Sequence, residues 1–202
     1  MKLNSKQLRD LDPETAKSSL NQPQNKRKEI YFIVENVYDT YNVGGLFRLA
    51  DALNVAKIYL CGETEIPPNH KIVKASIGTY KIVPWEYKSS AREAIAELRK
   101  KHEGVEARKE GSKKRSDESH VSTSNLSSIS IVAIEQAKGS VDYRKAKYSL
   151  PLALIVGNET SGVMEETLEL CDQIVEIPML GINTSLNVIV SAAIVGYQAT
   201  IL

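Results

Sequence analysis

Hydrophobic and polar positions change their period several times along the chain. IYFIVE (30–35) is a short β-branched and aromatic run, the pattern of a strand buried on both faces. VAKIYL (55–60), SISIVAI (128–134), LALIVG (152–157) and QIVEIP (173–178) repeat that pattern, and YKIVPW (80–85) reads as a further strand. Between these runs the period is helical. Over 42–54, Val43, Leu46, Phe47, Ala50 and Leu53 share one face, with Asn42 as the cap and Arg48 nearly opposite. In SSAREAIAELRKK (89–101), Ala91, Ile95 and Leu98 recur at i, i+4, i+7. Shorter helical segments are expected around KIVKASIG (71–78) and at 164–171. The last helix, 185–202, is apolar nearly all round, with Ser185 as its natural N-cap and Asn187 inside its first turn. Strand–helix alternation predicts an α/β fold: a mainly parallel sheet with helices on both faces. Functional loops then belong at the carboxyl ends of strands.

Two segments depart from this alternation. Residues 1–29 hold seven Lys/Arg against four Asp/Glu, punctuated by Pro13 and Pro23. They read either as a frayed polar arm with a short helix or as a basic arm that helps hold a polyanion. In 104–128 only four of the twenty-five residues are apolar, too few to offset the entropy of ordering, so this stretch reads as a mobile insertion. Its Lys113-Lys114-Arg115 run is either a solvated linker or a phosphate contact. The expected organisation is an arm at 1–29 and one domain at 30–202 that carries the insertion.

Composition narrows the function classes. At 202 residues and 42% hydrophobic content, one sizeable core is the default. A net charge of +1 gives no global basic field, so a polyanion partner must use a local patch. Cys61 and Cys171 form neither a disulfide framework nor a metal-site spacing, so no metal is expected. The first twenty residues lack the apolar core of a signal peptide, and no apolar run is long enough for a membrane span. A cytoplasmic protein with no membrane contact is expected.

Three loops carry candidate chemistry. NVYDTYNVGGLFRLADAL (36–53) places Gly44 and Gly45 in the first turn of a helix, which weakens it by roughly 1 kcal/mol each. Bare backbone at a helix start suits an anion, so Asn42, the two glycines and Arg48 form a candidate phosphate site; a tight helix entry with a solvated Arg is the competing reading. IVGNETSGV (155–163) has the G-x-x-x-x-G spacing of a phosphate loop, but Val163-Met164 stand where Lys and Ser/Thr belong, and G-x-G-x-x-G is absent. It remains a strand-to-helix turn with exposed backbone groups and one carboxylate, Glu159. IPMLGINTSLNV (177–188) sets a polar cluster at the mouth of the last helix, where Asn187 needs a partner, in a neighbouring loop or in a ligand.

Taken in order, NVGGLFR (42–48), VGNETSG (156–162) and IPMLGINTSLNV (177–188) resemble the three motifs of the SpoU branch of the SPOUT RNA methyltransferases, and KASIGTYKIVPW (74–85) resembles that family's linking segment. The resemblance covers roughly residues 30–202. It implies a carboxyl-terminal deep trefoil knot, a feature otherwise almost absent from proteins. It also implies S-adenosylmethionine as cofactor and methyl transfer to a ribose 2′-hydroxyl of tRNA or rRNA. Carried over residue by residue, it puts Gly157, Ile177, Met179, Leu186 and Asn187 at the cofactor. Arg48, Asn42, Ser185, Asn187 and Glu159 become the residues of the catalytic site. A homodimer with RNA crossing the subunit interface is implied, with the helix at 185–202 supplying part of the contact. A catalytically silent RNA-binding relative is the alternative, and an intact Asn42, Arg48, Ser185 and Asn187 argue against it.

Overall fold

The structure, a computed structural model, describes residues 3–12, 15, 27–110 and 128–200. Among the described residues seven strands form one sheet: β1 (Lys28–Glu35), β2 (Val55–Cys61), β3 (Trp85–Lys88), β4 (Ser130–Ile134), β5 (Val141–Asp142), β6 (Leu152–Val156) and β7 (Gln173–Glu176). Their order is β3-β2-β1-β6-β4-β7-β5, and every neighbouring pair is parallel. All carboxyl ends therefore open on one edge of the sheet. Helices among the described residues include, in chain order, α1 (Ser5–Asp10), α2 (Thr40–Ala52), α3 (His70–Ser76), α4 (Ala91–Glu110), α5 (Glu165–Leu168) and α6 (Val188–Thr200). Among the described residues no helix is long and apolar enough to cross a membrane.

Strand side chains sort by parity into two cores. Ile30, Phe32 and Val34 of β1 pack with Val43, Leu46 and Phe47 of α2 and with Val188, Ala192 and Val195 of α6. Tyr31 and Ile33 pack on the other face with Ala91, Ala94, Ile95 and Leu98 of α4. A sheet covered on both faces needs apolar residues at every position, which is why the strands read as unbroken runs.

The element boundaries differ from the sequence expectation in informative ways. YKIVPW is not a strand: Thr79–Lys81 forms a 3₁₀ turn, and β3 begins at Trp85, after Pro84, whose carbonyl accepts from Ile58 N at 2.9 Å. Proline has no N–H for the ladder, so the strand starts beyond it. The helix expected at 89–101 runs on to Glu110, into the stretch read as an insertion, whose residues 111–127 lie outside the described ones. The helix expected at 164–171 is regular only over Glu165–Leu168. The two-residue β5 was not anticipated, being too short for periodicity to register.

In the amino-terminal arm, α1 has an Asn4/Gln7 capping box. It is docked: Leu8 is buried, and Lys81 Nζ donates to the carbonyls of Arg9 and Leu11, each at 2.8 Å. Lysine at a helix's last carbonyls is favourable both as donor and as charge.

Candidate functional site

A chain of amide and carboxylate groups joins the three loops that the sequence singled out. Asn187 Nδ2 donates to Asn42 Oδ1 at 2.9 Å, and Asn42 Nδ2 donates to Glu159 Oε1 at 2.8 Å. Glu159 also accepts from the backbone N–H groups of Tyr38 and Asp39, both at 3.3 Å. The carboxylate thus sits at the start of α2, where the helix dipole favours negative charge. Side chains more than a hundred residues apart in sequence meet here because β1 and β6 are neighbours.

This geometry corrects both capping assignments. Asp39, not Asn42, caps α2, its side chain accepting from Tyr41 N at 2.8 Å. Asn42 lies in the first turn and is 6% exposed, so its amide is free to bridge Glu159 and Asn187. The last helix starts at Val188 rather than 185. Asn187 itself caps it: Oδ1 accepts from Ile189 N at 2.9 Å and its carbonyl from Ser191 N at 3.0 Å. Ser185 lies ahead of the helix, exposed.

The glycines of α2 also have a different reason from a ligand. A Cβ at Gly44 would stand 2.5 Å from Ala75 Cβ of α3, and one at Gly45 would stand 2.3 Å from Ile189 Cδ1 of α6. Both faces are bare because neighbouring helices press on them, and the helix start is already filled by Glu159 and Asp39. Of the expected anion site, Arg48 remains: it is exposed on α2 and holds no hydrogen bond or ion pair among the described residues.

Beside this polar chain an open cleft runs along the carboxyl ends of β4, β6 and β7. Gly157, Glu159, Ile177, Met179, Ser185 and Leu186 line it, together with Ile134, Val156, Val188 and the carboxylates of Glu135 and Glu176. Arg48, Asn42 and Asn187 do not line it; the two asparagines reach its edge through Glu159. Gly157 is bare because its loop folds back on itself: an added Cβ would meet the carbonyl carbon of Gly162 at 2.2 Å.

Several supporting residues escaped the sequence reading. Asn158 Oδ1 accepts from Thr160 N and Ser161 N at 2.8 and 3.0 Å, and its Nδ2 donates to the Asn36 carbonyl at 2.8 Å. Buried Glu35 accepts from Met164 N at 2.9 Å and from Thr167 Oγ1 at 2.6 Å, fixing the far end of the same loop. Glu135 Oε2 accepts from Val163 N at 2.9 Å, and Gln136 Nε2 donates to the Thr184 carbonyl at 2.7 Å. Glu35 and Glu135 are the residues at which apolar strands turn polar at their carboxyl ends, and that position was the signal available for them.

The cleft's chemistry is selective. Among the described residues its lining includes the acids Glu135, Glu159 and Glu176 and no Lys or Arg. Each carboxylate accepts hydrogen bonds but none is paired with a Lys or Arg of the lining, so a phosphate-bearing ligand is disfavoured and a cation with an apolar ring is favoured. Neither cysteine lines the cleft, and burial pushes both Cys61 and Cys171 up to about 12, away from the thiolate form. Among the described residues no cluster of His, Cys, Asp and Glu is able to hold a metal ion.

Known proteins resemble the chain over most of its length. A profile of the SpoU rRNA Methylase family matches residues 29–125 and 116–197. The tRNA (guanosine(18)-2′-O)-methyltransferase of Escherichia coli is 25% identical over 177 residues, 86% of this chain and 64% of the relative. The enzyme of the same name from Thermus thermophilus is 26% identical, covering 86% and 75%. Among solved structures, the SpoU methyltransferase AviRb from Streptomyces viridochromogenes in complex with the cofactor AdoMet aligns with a TM-score of 0.65 and 26% identity, over 86% of this chain and 60% of that one. An AdoMet-bound rRNA methyltransferase from Sinorhizobium meliloti gives 0.66 and 27%, over 95% and 59%. The chain therefore spans less than two thirds of the E. coli relative and of both solved chains.

Proposed function

The chain belongs to the SpoU rRNA methylase family, and from that premise we propose that it is an S-adenosylmethionine-dependent RNA methyltransferase acting on a ribose 2′-hydroxyl of tRNA or rRNA. The observation that carries the proposal is the cleft beside the Glu159–Asn42–Asn187 chain, apolar and anionic with no cation in its lining among the described residues. S-adenosylmethionine suits it, being a nucleoside without phosphate whose sulfonium and ammonium outweigh its one carboxylate and leave it a net cation. Ile177, Met179 and Leu186 offer the adenine an apolar wall, and the main chain at Gly157 offers it hydrogen-bonding groups. The three carboxylates favour the two positive charges.

Bound there, the cofactor supplies an electrophilic methyl group; the protein positions the nucleophile. Asn42 spends its amide on Asn187 and Glu159 and so positions the two flanking loops. The Ser185 hydroxyl borders the cleft and offers a polar contact to the ribose. The role of Arg48 is to clamp a phosphate beside the target ribose with its planar guanidinium fork and polarise the hydroxyl, the proton leaving through phosphate or water. The knot formed around 177–187 belongs to the same reading. So does a homodimer: Leu180 and Ile182 are fully exposed, and Val190 and Tyr197 of α6 about half exposed, an apolar surface that a second copy would cover.

Incubation with methyl-labelled S-adenosylmethionine and total tRNA or rRNA tests the proposal. Label is expected in RNA at ribose 2′-oxygens. Arg48→Ala should abolish transfer while cofactor affinity stays within about twofold, and Arg48→Lys should not restore it, lacking the planar fork. Normal turnover in Arg48→Ala would remove Arg48 from the site, and no labelling by the wild-type protein would leave only a silent RNA-binding relative.

A further inference from the structure

Tyr38 (56% exposed), Tyr41 (50%), Met164 (44%) and Ile66 (40%) are exposed large apolar side chains on or near the segments that meet at the start of α2. They do not lie there at random. Tyr38 and Tyr41 flank the start of α2, and the backbone N–H of Tyr38 is held by Glu159. The Tyr38 hydroxyl donates to Glu63 Oε2 at 2.7 Å, which fixes the ring while leaving its face in water. Tyr41 N is held by the capping Asp39. Asn36 ties the surrounding segments together, accepting from Glu63 N at 2.9 Å and donating to Met164 Sδ at 3.3 Å. The Tyr38 ring is thus held at its hydroxyl and the Tyr41 backbone at its N–H, with Asn42 the next residue along.

The charges around them say what lies against them. Asp39, Glu63 and Glu159 are the ionisable groups bonded to this loop, and all three are carboxylates. A nucleic-acid backbone is repelled there, whereas a nucleobase is uncharged, has a π face to stack, and carries amino donors on its edge for which carboxylates are acceptors.

We propose that Tyr38 and Tyr41 form a stacking platform for an unpaired nucleobase of the RNA, at or next to the nucleotide whose ribose is presented to the site. The inference rests on the RNA-modifying reading above and adds to it the feature of the substrate that is recognised: an unstacked base in a loop or bulge rather than a duplex. Phosphate contacts fall to Arg48 on the exposed face of α2.

Titrating the 202-residue chain with bulk tRNA and rRNA, and measuring transfer in parallel, tests this. Replacing Tyr38 and Tyr41 together by Ala should raise the RNA Kd, and the KM for RNA, by roughly 5- to 150-fold, the range that loss of base–aromatic stacking gives. Cofactor affinity and thermal unfolding should hold, excluding a collapsed loop. Phe at both positions should retain most of the affinity, and Leu should not. The salt slope of binding should be unchanged in the Tyr variants and smaller by about one in Arg48→Ala, since stacking releases no counterions. Unchanged RNA affinity in the Ala pair, or rescue by Leu as good as by Phe, overturns the platform. Because RNA affinity is read separately, a wild-type protein that binds RNA and transfers no methyl group refutes the catalytic reading and leaves the stacking test intact. A wild-type protein that binds neither RNA refutes both.

Discussion

Replacing Gly44 by Ala separates two explanations of the paired glycines in α2. If the glycines bare the backbone for a ligand, the methyl group costs function and improves the helix by about 1 kcal/mol. If they exist for helix contact, it costs stability. The new Cβ would stand 2.5 Å from Ala75 Cβ and 3.0 Å from both the Ile72 carbonyl oxygen and Ser76 N. Carbon atoms pack best at about 3.5–4.0 Å, so α3 must retreat by about 1 Å. The obstacle is backbone and a Cβ, neither of which can rotate away, which places the overpacking cost at the upper end of the usual range, about 3 kcal/mol. After the helix-propensity gain, a net loss of about 2 kcal/mol is expected. In a chain of this size that lowers Tm by roughly 4–8 °C. Urea unfolding followed by circular dichroism should show a lower midpoint with an unchanged slope. Gly45→Ala is the internal comparison: its obstacle is Ile189 Cδ1, the end of a flexible side chain, so its change should stay within about 1 kcal/mol. A Gly44→Ala protein as stable as the parent would refute the packing explanation.

Other expectations follow from the same contacts. Asn42→Ala and Asn187→Ala should be coupled by about 0.5–1.5 kcal/mol in a double-mutant stability cycle, and Asn187→Ala should lose about 1 kcal/mol more as a cap; additive effects would mean that the amide bridge does not form. Burial holds His102 below its ordinary value, with its ring edge-on to Tyr31 and Nε2 3.3 Å from the phenol oxygen. The native state then binds fewer protons than the unfolded chain, so stability is complete above the unfolded His pKa of about 6.5 and declines as pH falls through it. His102→Gln should flatten that decline between pH 7 and 5, and an unaltered pH dependence would assign it to other groups.

Much of the fold was legible because its physical cause is local. Strands buried on both faces show as unbroken apolar runs, and the face of α2 that packs on the sheet shows as i, i+3, i+4 spacing. Boundaries set by tertiary contact were not legible. Asp39 is an ordinary turn residue by sequence, and only the approach of β6 to β1 places Glu159 over the same helix start. Ser185 looked the better cap, but Gln136 holds the Thr184 carbonyl and Asn42 holds the Asn187 amide, so the helix begins three residues later than the pattern suggests. The candidate site was readable as three loops at strand ends. What joins them was not, because its bonds span 117 and 145 residues. Glu135 was missed although it follows a strand directly, since a single carboxylate after an apolar run has no motif around it.

The central claim is that the cleft at the ends of β4, β6 and β7 receives a cationic nucleoside. Isothermal titration of the folded protein with S-adenosylmethionine tests it most directly, with ATP and NAD titrated alongside as phosphate-bearing nucleotides. Saturable uptake of S-adenosylmethionine, weakened by a bulky substitution at Leu186 and absent for ATP and NAD, is predicted. No heat with S-adenosylmethionine from well-folded protein, or equal binding of ATP, would contradict it.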